Sequence, residues 1–302
     1  MAYWLVTTEH LEDRLLFRDF RDFVIGMNYV AVQAFKMEVS VLAFVLMSNH
    51  SHFVLCGSRE SAETFMNGFK MVYSRYLQNK YGVREHLRGL TIDFKQIEGE
   101  EALEWAIAYV QMNPVAANIC MNSFDYPWGT GGSFFKPSNG VNESEYGVSS
   151  VEGVSEKGRL LGSMSYRERF RLLHSRIDVP GLWRVCDEGF VLPESYVRKD
   201  VVESIFRTPR RMNYFLNNSS KAKHRIETAD ENIPAFRDQV ILAAIPDLCQ
   251  SLFRRRSVDE LDDEQMVELL RQLRFRFSAG ANQLARVTGL SYADAAKCLD
   301  RF

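Results

Sequence analysis

The chain has 302 residues, of which 46% are hydrophobic and 25% are charged, a composition typical of soluble globular proteins. No apolar run reaches the roughly 20 residues of a membrane-spanning helix, and residues 1–10 lack the features of a secretory signal peptide. The five cysteines are scattered, which argues against a disulfide framework or a cysteine zinc site, so we expect a cytoplasmic protein with no membrane partner.

The formal net charge is −2, which by itself does not indicate a nucleic-acid-binding protein. Residues 1–130 contain 11 Lys and Arg against 15 Asp and Glu, a net charge of −4, so residues 131–302 carry +2. Two stretches are locally basic: residues 70–95 carry +4 and residues 198–225 carry +6. Any DNA binding is therefore expected to be local rather than spread over a uniformly positive surface.

Hydrophobic periodicity predicts alternating strands and helices in the first part of the chain. The predicted elements are a strand at 3–8, a helix at 17–35, two adjacent strands or one bent strand at 39–55, a helix at 62–81, a strand at 91–97 and a helix at 100–112. The order β-α-β-β-α-β-α favours an α+β domain in which helices pack on an antiparallel sheet. Pro114 is expected to fix the end of the last helix, because proline interrupts helical hydrogen bonding.

Pro127 and three glycines at 129, 131 and 132 close this domain, which we place at residues 1–135. The Gly- and Ser-rich segment 136–162 shows little hydrophobic periodicity and predicts a flexible linker. Residues 163–302 form a mostly α-helical DNA-binding or accessory region. Its predicted helices lie at 166–174, 195–206, 235–252 and 263–277.

A possible helix-turn-helix occupies residues 281–302. Ala285 and Gly289 are four residues apart, as in the turn of such motifs, and Ser291 with Asp294 forms a capping-box pattern for the second helix. Acidic residues balance the basic ones on that second helix, whereas a helix that reads a DNA groove is usually more basic. A DNA-reading motif and a plain helical hairpin both remain open.

His50 and His52 lie two residues apart in an apolar strand. Alternate strand residues share a face, so the two imidazoles are expected about 6–7 Å apart and able to converge on one divalent cation. Tyr109 and Asn113 lie four residues apart on the last predicted helix, so both side chains project from one helical face. Taken alone, each pair is more often a pair of ordinary polar or packing residues than a functional one.

The sequence around these residues resembles the single-tyrosine HUH transposases, particularly the REP-associated tyrosine transposases. The resemblance spans roughly residues 3–135 and is carried by four motifs in the order found in that family. They are VLAFVLMSNHSHFVL at 41–55, FMNGFK with YSRYLQN at 65–70 and 73–79, AYVQMNPVAA at 108–117, and DYPW at 125–128.

The resemblance implies an HUH nuclease domain with a ferredoxin-like antiparallel sheet. It implies that His50, His52 and Asn113 bind Mg²⁺ or Mn²⁺, and that Tyr109 attacks a phosphodiester of single-stranded, hairpin-bearing DNA. The implied activity is that of a DNA transposase: an endonuclease and strand transferase that forms a 5′-phosphotyrosine intermediate and frees a 3′-hydroxyl. Because a phenol is a weak nucleophile near neutral pH, a cation on the phosphate would assist the attack. Two imidazoles and an amide oxygen favour manganese or a softer ion.

Three departures from the family pattern bear on this interpretation. Ser51 stands where the family prefers a hydrophobic residue, Ser48 stands where it usually has proline, and residues 7–10 match poorly. We expect a packing cost at Ser51, which should face away from the metal, and a looser strand at Ser48. A catalytically inactive, repurposed DNA-binding regulator of the same fold is therefore an alternative, and an unrelated two-histidine metal hydrolase is a third. Family members act as monomers or homodimers, and either is possible for this chain.

Basic residues outside the metal motif are candidate DNA contacts. Lys70 and Arg75 lie on the predicted helix after the two histidines. Residues 206–225 interleave basic residues with aromatic and amide side chains that suit backbone contact and base stacking. The basic candidates in that stretch are Arg207, Arg210, Arg211, Lys221, Lys223 and Arg225. Solvated helix and loop residues are the alternative for all of them.

Overall fold

The computed structural model describes residues 2–8, 15–37, 39–82, 87, 90–135, 158–219, 236–277 and 279–299. A four-stranded antiparallel sheet with packed helices forms its first part, which confirms the predicted α+β class. Among the described helices, none is both long and apolar enough to cross a membrane.

The elements of the sheet region follow the predicted order. They are β1 (Ala2–Thr8), α1 (Phe20–Lys36), β2 (Ser40–Leu46), β3 (Ser51–Gly57), α2 (Arg59–Tyr81), β4 (Ile92–Ile97) and α3 (Glu100–Ala116). The strands are arranged β2-β3-β1-β4, and each neighbouring pair is antiparallel. The predicted segment 39–55 forms two strands joined by a tight turn rather than one bent strand.

The two faces of the sheet are covered by different helices. The ring of Phe53 in β3 contacts Phe65 and Phe69 of α2, whereas the ring of its neighbour His52 contacts Tyr109 of α3. Because successive strand residues point to opposite faces, α2 and α3 lie on opposite sides of the sheet. Helix α1 packs beside α2. Helix α3, which carries Tyr109, covers the face of the sheet that carries His52.

Helix α3 extends beyond its predicted end. It continues through Pro114 to Ala116, where the prediction placed its end at residue 112. A proline near the end of a helix removes one N–H bond, and the carbonyls of Asn113 and Pro114 still accept hydrogen bonds from the amides of Ala117 and Ile119 at 2.9 Å each. Asn113 therefore lies within regular helix, one turn after Tyr109.

Residues 158–219 pack against the sheet region. The segment contains β5 (Arg159–Leu160), α4 (Tyr166–Leu173), β6 (Arg184–Val185), α5 (Lys199–Phe206) and α6 (Pro209–Asn217). Val202, Phe206 and Phe215 belong to the same buried cluster as the sheet residues. The fully buried Asn28 of α1 adds polar contacts, because its amide nitrogen donates to the carbonyls of Leu172 and Gly189 at 3.0 Å.

Helix α6 and the small β5–β6 pair were not predicted from the sequence. Helix α6 begins at a recognisable start, because Thr208 caps it by accepting a hydrogen bond from the Arg211 amide at 3.1 Å and Pro209 occupies its first position. Two-residue strands are too short for an alternation of apolar and polar residues to show.

A second buried cluster gathers the helices after residue 236. They are α7 (Asp238–Leu248), continued by a π-helical turn at Cys249–Phe253, then α8 (Asp263–Phe277), α9 (Ala281–Thr288) and α10 (Tyr292–Leu299). Helices α9 and α10 lie in the segment 281–302, for which the sequence leaves a helix-turn-helix and a plain helical hairpin open. Gly289 makes the turn with a φ of 77°, and the Ser291 hydroxyl accepts a hydrogen bond from the Asp294 amide at 3.1 Å.

Hydrogen bonds to the segment before α1 and to α7 stabilise the turn before β3. The Ser48 carbonyl accepts hydrogen bonds from the amides of Leu16 and Phe17 at 2.8 and 3.0 Å. Its hydroxyl donates to the buried Asp238 carboxylate of α7 at 2.9 Å. The structure thus differs from the expectation that serine loosens this strand, because the hydroxyl makes a contact that proline cannot make.

Ser51 points away from the histidine face, as expected. Its amide donates to the Thr8 hydroxyl at 2.7 Å, and the two hydroxyl oxygens lie 3.4 Å apart. The side chain is fully buried, so this contact supplies the polar partner that a buried hydroxyl requires.

Candidate active site at Tyr109

The two histidines lie side by side on the α3 face of the sheet. His52 is in β3, paired with Thr7 of β1 and Val45 of β2, and His50 precedes the strand in the turn. Their ring centroids are 4.8 Å apart with the rings nearly perpendicular. Both side chains are buried, at 6% and 0% exposure. The shared face predicted from the spacing is therefore present.

One nitrogen of each imidazole is held by a neighbour. His50 Nδ1 donates to Asn49 Oδ1 at 2.9 Å, and His52 Nδ1 is 2.9 Å from the Thr7 hydroxyl. Because an amide oxygen only accepts, Nδ1 of His50 carries the proton in the neutral ring and Nε2 carries the lone pair. The Nε2 atoms of both rings are buried and take no part in these two hydrogen bonds.

Helix α3 brings Tyr109 against this pair. The Tyr109 ring lies 5.3 Å from the His52 ring, edge to face. One turn later, Asn113 Nδ2 donates to the Tyr109 carbonyl at 2.8 Å. Burial raises the pKa of the Tyr109 phenol, and a hydrogen bond with the Asn113 side chain opposes the rise without cancelling it. The phenol is therefore neutral at physiological pH.

The donor set can be tested against a metal ion. Asn113 Nδ2 donates to the backbone, so Oδ1 is the atom of that side chain suited to a cation, as Nε2 is in each of the two imidazoles. Imidazole nitrogens suit a divalent transition ion, and an amide oxygen suits manganese or magnesium. Within the described ranges no group of three or more His, Cys, Asp or Glu side chains gathers, at this site or at any other.

The predicted contacts on α2 lie away from Tyr109. Lys70 donates from Nζ to the Leu90 carbonyl at 2.9 Å, which uses it within the fold. Arg75 is exposed on the same helix. Since α2 and α3 cover opposite faces of the sheet, the structure does not bring these two residues to the histidine–tyrosine site.

The basic residues of α6 and the turn before it differ from one another. Arg207 pairs with Glu100 at 3.0 Å, and Arg211 makes two hydrogen bonds to the fully buried Glu104 at 2.5 and 2.8 Å. Both glutamates belong to α3, so these two arginines link α6 and the turn before it to the helix that carries Tyr109. Arg210 is exposed and makes no ion pair with any described residue. Lys221, Lys223 and Arg225 lie outside the described residues.

Sequence reasoning missed a cavity of about 730 Å³ beside Tyr109. Trp105, which lines it, lies four residues before Tyr109, and that spacing signals a shared helical face. Lys95 of β4 and Ser219 after α6 also line it. No local pattern announces Ser219, because only the packing of residues 199–219 onto α3 brings it there.

No protein-family model matches the chain. No curated protein matches it either. Among solved structures, the chain is similar to a REP-associated tyrosine transposase bound to a REP hairpin, at 12% sequence identity and a TM-score of 0.34. The alignment covers 43% of this chain and 76% of that one. A likeness at this level does not establish a shared function.

Proposed function

We propose that the chain is a metal-dependent DNA nickase and strand transferase that forms a 5′-phosphotyrosine through Tyr109 on single-stranded or hairpin DNA. The observation that carries the proposal is the meeting of His50, His52 and Tyr109 on one sheet face, at ring separations of 4.8 and 5.3 Å. The motifs that resemble the HUH transposases supply the reaction class. A ferredoxin-like arrangement of the domain is part of the proposal, supported by the strand order β2-β3-β1-β4.

His50, His52 and Asn113 would hold the cation, Mg²⁺ or Mn²⁺. When bound, such an ion neutralises charge that builds on a phosphate under attack. The hydrogen bonds to His50 and His52 at Nδ1 orient both rings before any ligand arrives. A hydrogen bond to the other ring nitrogen sets the tautomer and the direction of a metal-binding imidazole.

Tyr109 would act as the nucleophile from a position fixed by α3. Its phenolic oxygen forms a bond to phosphorus while the bond from phosphorus to the 3′-oxygen breaks. The phenol loses a proton and the 3′-oxygen gains one, so no proton is lost or gained overall. The same step in reverse joins the strand to a new 3′-hydroxyl. Placing the phenol beside the two histidines supplies the proximity that a weak nucleophile needs.

Labelled single-stranded hairpin DNA, incubated with the full chain and manganese and separated on a denaturing gel, tests this function. The expected result is a nicked strand together with label that migrates with the protein. Both should disappear in chelator and in His50→Ala and His52→Ala, which should also weaken manganese binding measured by calorimetry. Cleavage that continues in chelator would contradict the two-histidine site.

The alternative is a DNA-binding regulator that does not cut. Ser51 between the two histidines and the net charge of −4 over residues 1–130 favour it. A regulator would bind the hairpin DNA and form no covalent product at any metal concentration.

A further inference from the structure

The cavity beside Tyr109 lies between the sheet edge, α3 and the residues that follow α6. Leu5, Ile97 and Trp105 give it apolar walls, and Tyr109 itself lines it. Lys95 and Glu98 are exposed polar residues of the same lining, and Ser219 is a buried one. A concave, largely apolar site with a few polar groups is the usual form of a site for a small organic ligand.

Trp105 differs from the other tryptophans of the chain. Its side chain is half-buried, whereas Trp4, Trp128 and Trp183 are at most 8% exposed. Its ring is fixed from one side by Phe215 of α6, with the ring centroids 4.7 Å apart and the planes steeply inclined. It therefore offers a positioned aromatic surface one helical turn from Tyr109.

Ser219 supplies the second observation. The side chain is 1% exposed, and its hydroxyl has no hydrogen-bond partner in the part of the chain that the structure describes. Buried hydroxyls in folded proteins are normally hydrogen bonded. Ser219 lines the cavity, so a rotation of its side chain would let this hydroxyl meet a polar group of a ligand.

We infer that this cavity takes one unpaired nucleobase of the DNA strand, next to the phosphate that Tyr109 attacks. The inference rests on the proposed function, which brings single-stranded DNA to Tyr109. A base presents a flat aromatic ring to Trp105 and hydrogen-bonding atoms on its edge to Ser219. The ammonium of Lys95, in the same lining, suits the phosphate of the strand.

Quenching of tryptophan fluorescence in the full chain tests the inference without any cleavage, in chelator. The probes are a short oligothymidylate, an abasic strand of the same length and free thymidine monophosphate. Only the oligothymidylate should quench strongly, because it alone carries both bases and a continuous backbone. Equal quenching by the abasic strand would overturn the base assignment. Equal quenching by the free nucleotide would overturn the assignment to a strand.

Matched variants show which tryptophan is responsible for the fluorescence quenching. Trp105→Phe should abolish the quenching, whereas the control Trp183→Phe should retain it, because the Trp183 ring packs on Phe35 and Tyr196 instead. Trp105→Ala should weaken oligothymidylate binding about tenfold, as expected for one stacked base. Ser219→Ala should lower that affinity several-fold and leave abasic binding and the melting temperature unchanged. Quenching that persists in Trp105→Phe would overturn the inference.

The failure of this inference and the failure of the proposed function are distinguishable. Base-dependent quenching at Trp105 with no covalent adduct would keep the cavity and remove the nickase. An adduct at Tyr109 with no quenching that depends on Trp105 would keep the nickase and remove the base site.

Discussion

Arg210 and Arg211 are neighbours in the chain, yet their side chains have different surroundings. Arg211 meets the buried carboxylate of Glu104 with two hydrogen bonds, and Arg210 is exposed. Removing one partner of an ion pair that contains a buried charge leaves the other charge without compensation. Arg211 is therefore expected to stabilise the fold, whereas Arg210 contributes an exposed positive charge.

Arg211→Ala should lower the melting temperature, because Glu104 then stays buried without its partner. Arg210→Ala is the control and should leave the melting temperature nearly unchanged. Adding Glu104→Gln to Arg211→Ala should recover part of the loss, since the uncompensated charge is gone. Thermal unfolding followed by circular dichroism measures all three. Equal melting temperatures for Arg210→Ala and Arg211→Ala would contradict a stabilising role for the Arg211 pair.

The sequence predicts the residues of the candidate site better than their supports. Spacing alone places His50 with His52, and Tyr109 with Asn113, because strand and helix periodicity fix those directions. Their meeting across β3 and α3 depends on the sheet order, which the family resemblance implied. The Glu104–Arg211 pair lies 107 positions apart in sequence, and no periodicity relates residues at that distance.

At the scale of elements, α7 and α9 are fastened to the turn before β3 through Asp238. This buried carboxylate accepts hydrogen bonds from Arg286 at 3.1 Å, Gln283 at 2.9 Å and the Ser48 hydroxyl at 2.9 Å. Gln239 adds a bond to the Phe17 carbonyl at 3.1 Å. Helices α7 and α9 and the turn before β3 are thus linked through one buried carboxylate.

Asp238→Ala should destabilise the protein by about 3–5 kcal/mol, because Arg286 loses a buried partner. Ser48→Ala removes only one neutral donor and should cost about 1 kcal/mol. Hydrogen exchange at the amides of Leu16 and Phe17, which bond to the Ser48 carbonyl, should quicken in Asp238→Ala. Unchanged exchange there would mean that the anchor does not extend to the turn before β3.

Helices α8 and α3 show which helix ends can be predicted from the sequence. Helix α8 has its predicted bounds, 263–277, because acidic residues open it and an apolar stripe runs its length. Helix α3 exceeded its prediction, since Pro114 falls late enough in the helix to remove only one hydrogen bond. A proline in the sequence therefore indicates only approximately where a helix ends.

For the whole molecule, the distribution of charge bears on the proposed DNA binding. The net charge is −2, and ion pairs within the fold engage Arg198, Lys199, Arg207 and Arg211 of the +6 stretch. Fewer cations are then available to phosphate than the sequence count indicates. We expect the sequence-independent part of DNA affinity to come from Arg210 and from the predicted contacts Lys221, Lys223 and Arg225.

The dependence of affinity on salt measures this directly. Each phosphate contact on single-stranded DNA contributes about 0.7 to the slope of log affinity against log salt. Arg210→Ala should flatten the slope by about 0.7, and the triple alanine variant at residues 221, 223 and 225 by about 2. Arg211→Ala should leave the slope nearly unchanged. A flatter slope in Arg211→Ala than in Arg210→Ala would contradict this distribution of contacts.

The central claim is that Tyr109 becomes covalently linked to DNA. The most direct measurement is peptide mapping by mass spectrometry after incubation with single-stranded hairpin DNA and manganese, followed by nuclease digestion. We predict a nucleotide attached through its 5′-phosphate to the peptide that contains Tyr109. Tyr109→Phe should carry none while keeping its fold, and Tyr166→Phe, at a tyrosine 59% exposed on α4, should carry as much as the unaltered chain. A nucleotide on any other tyrosine, or an adduct that survives Tyr109→Phe, would contradict the account.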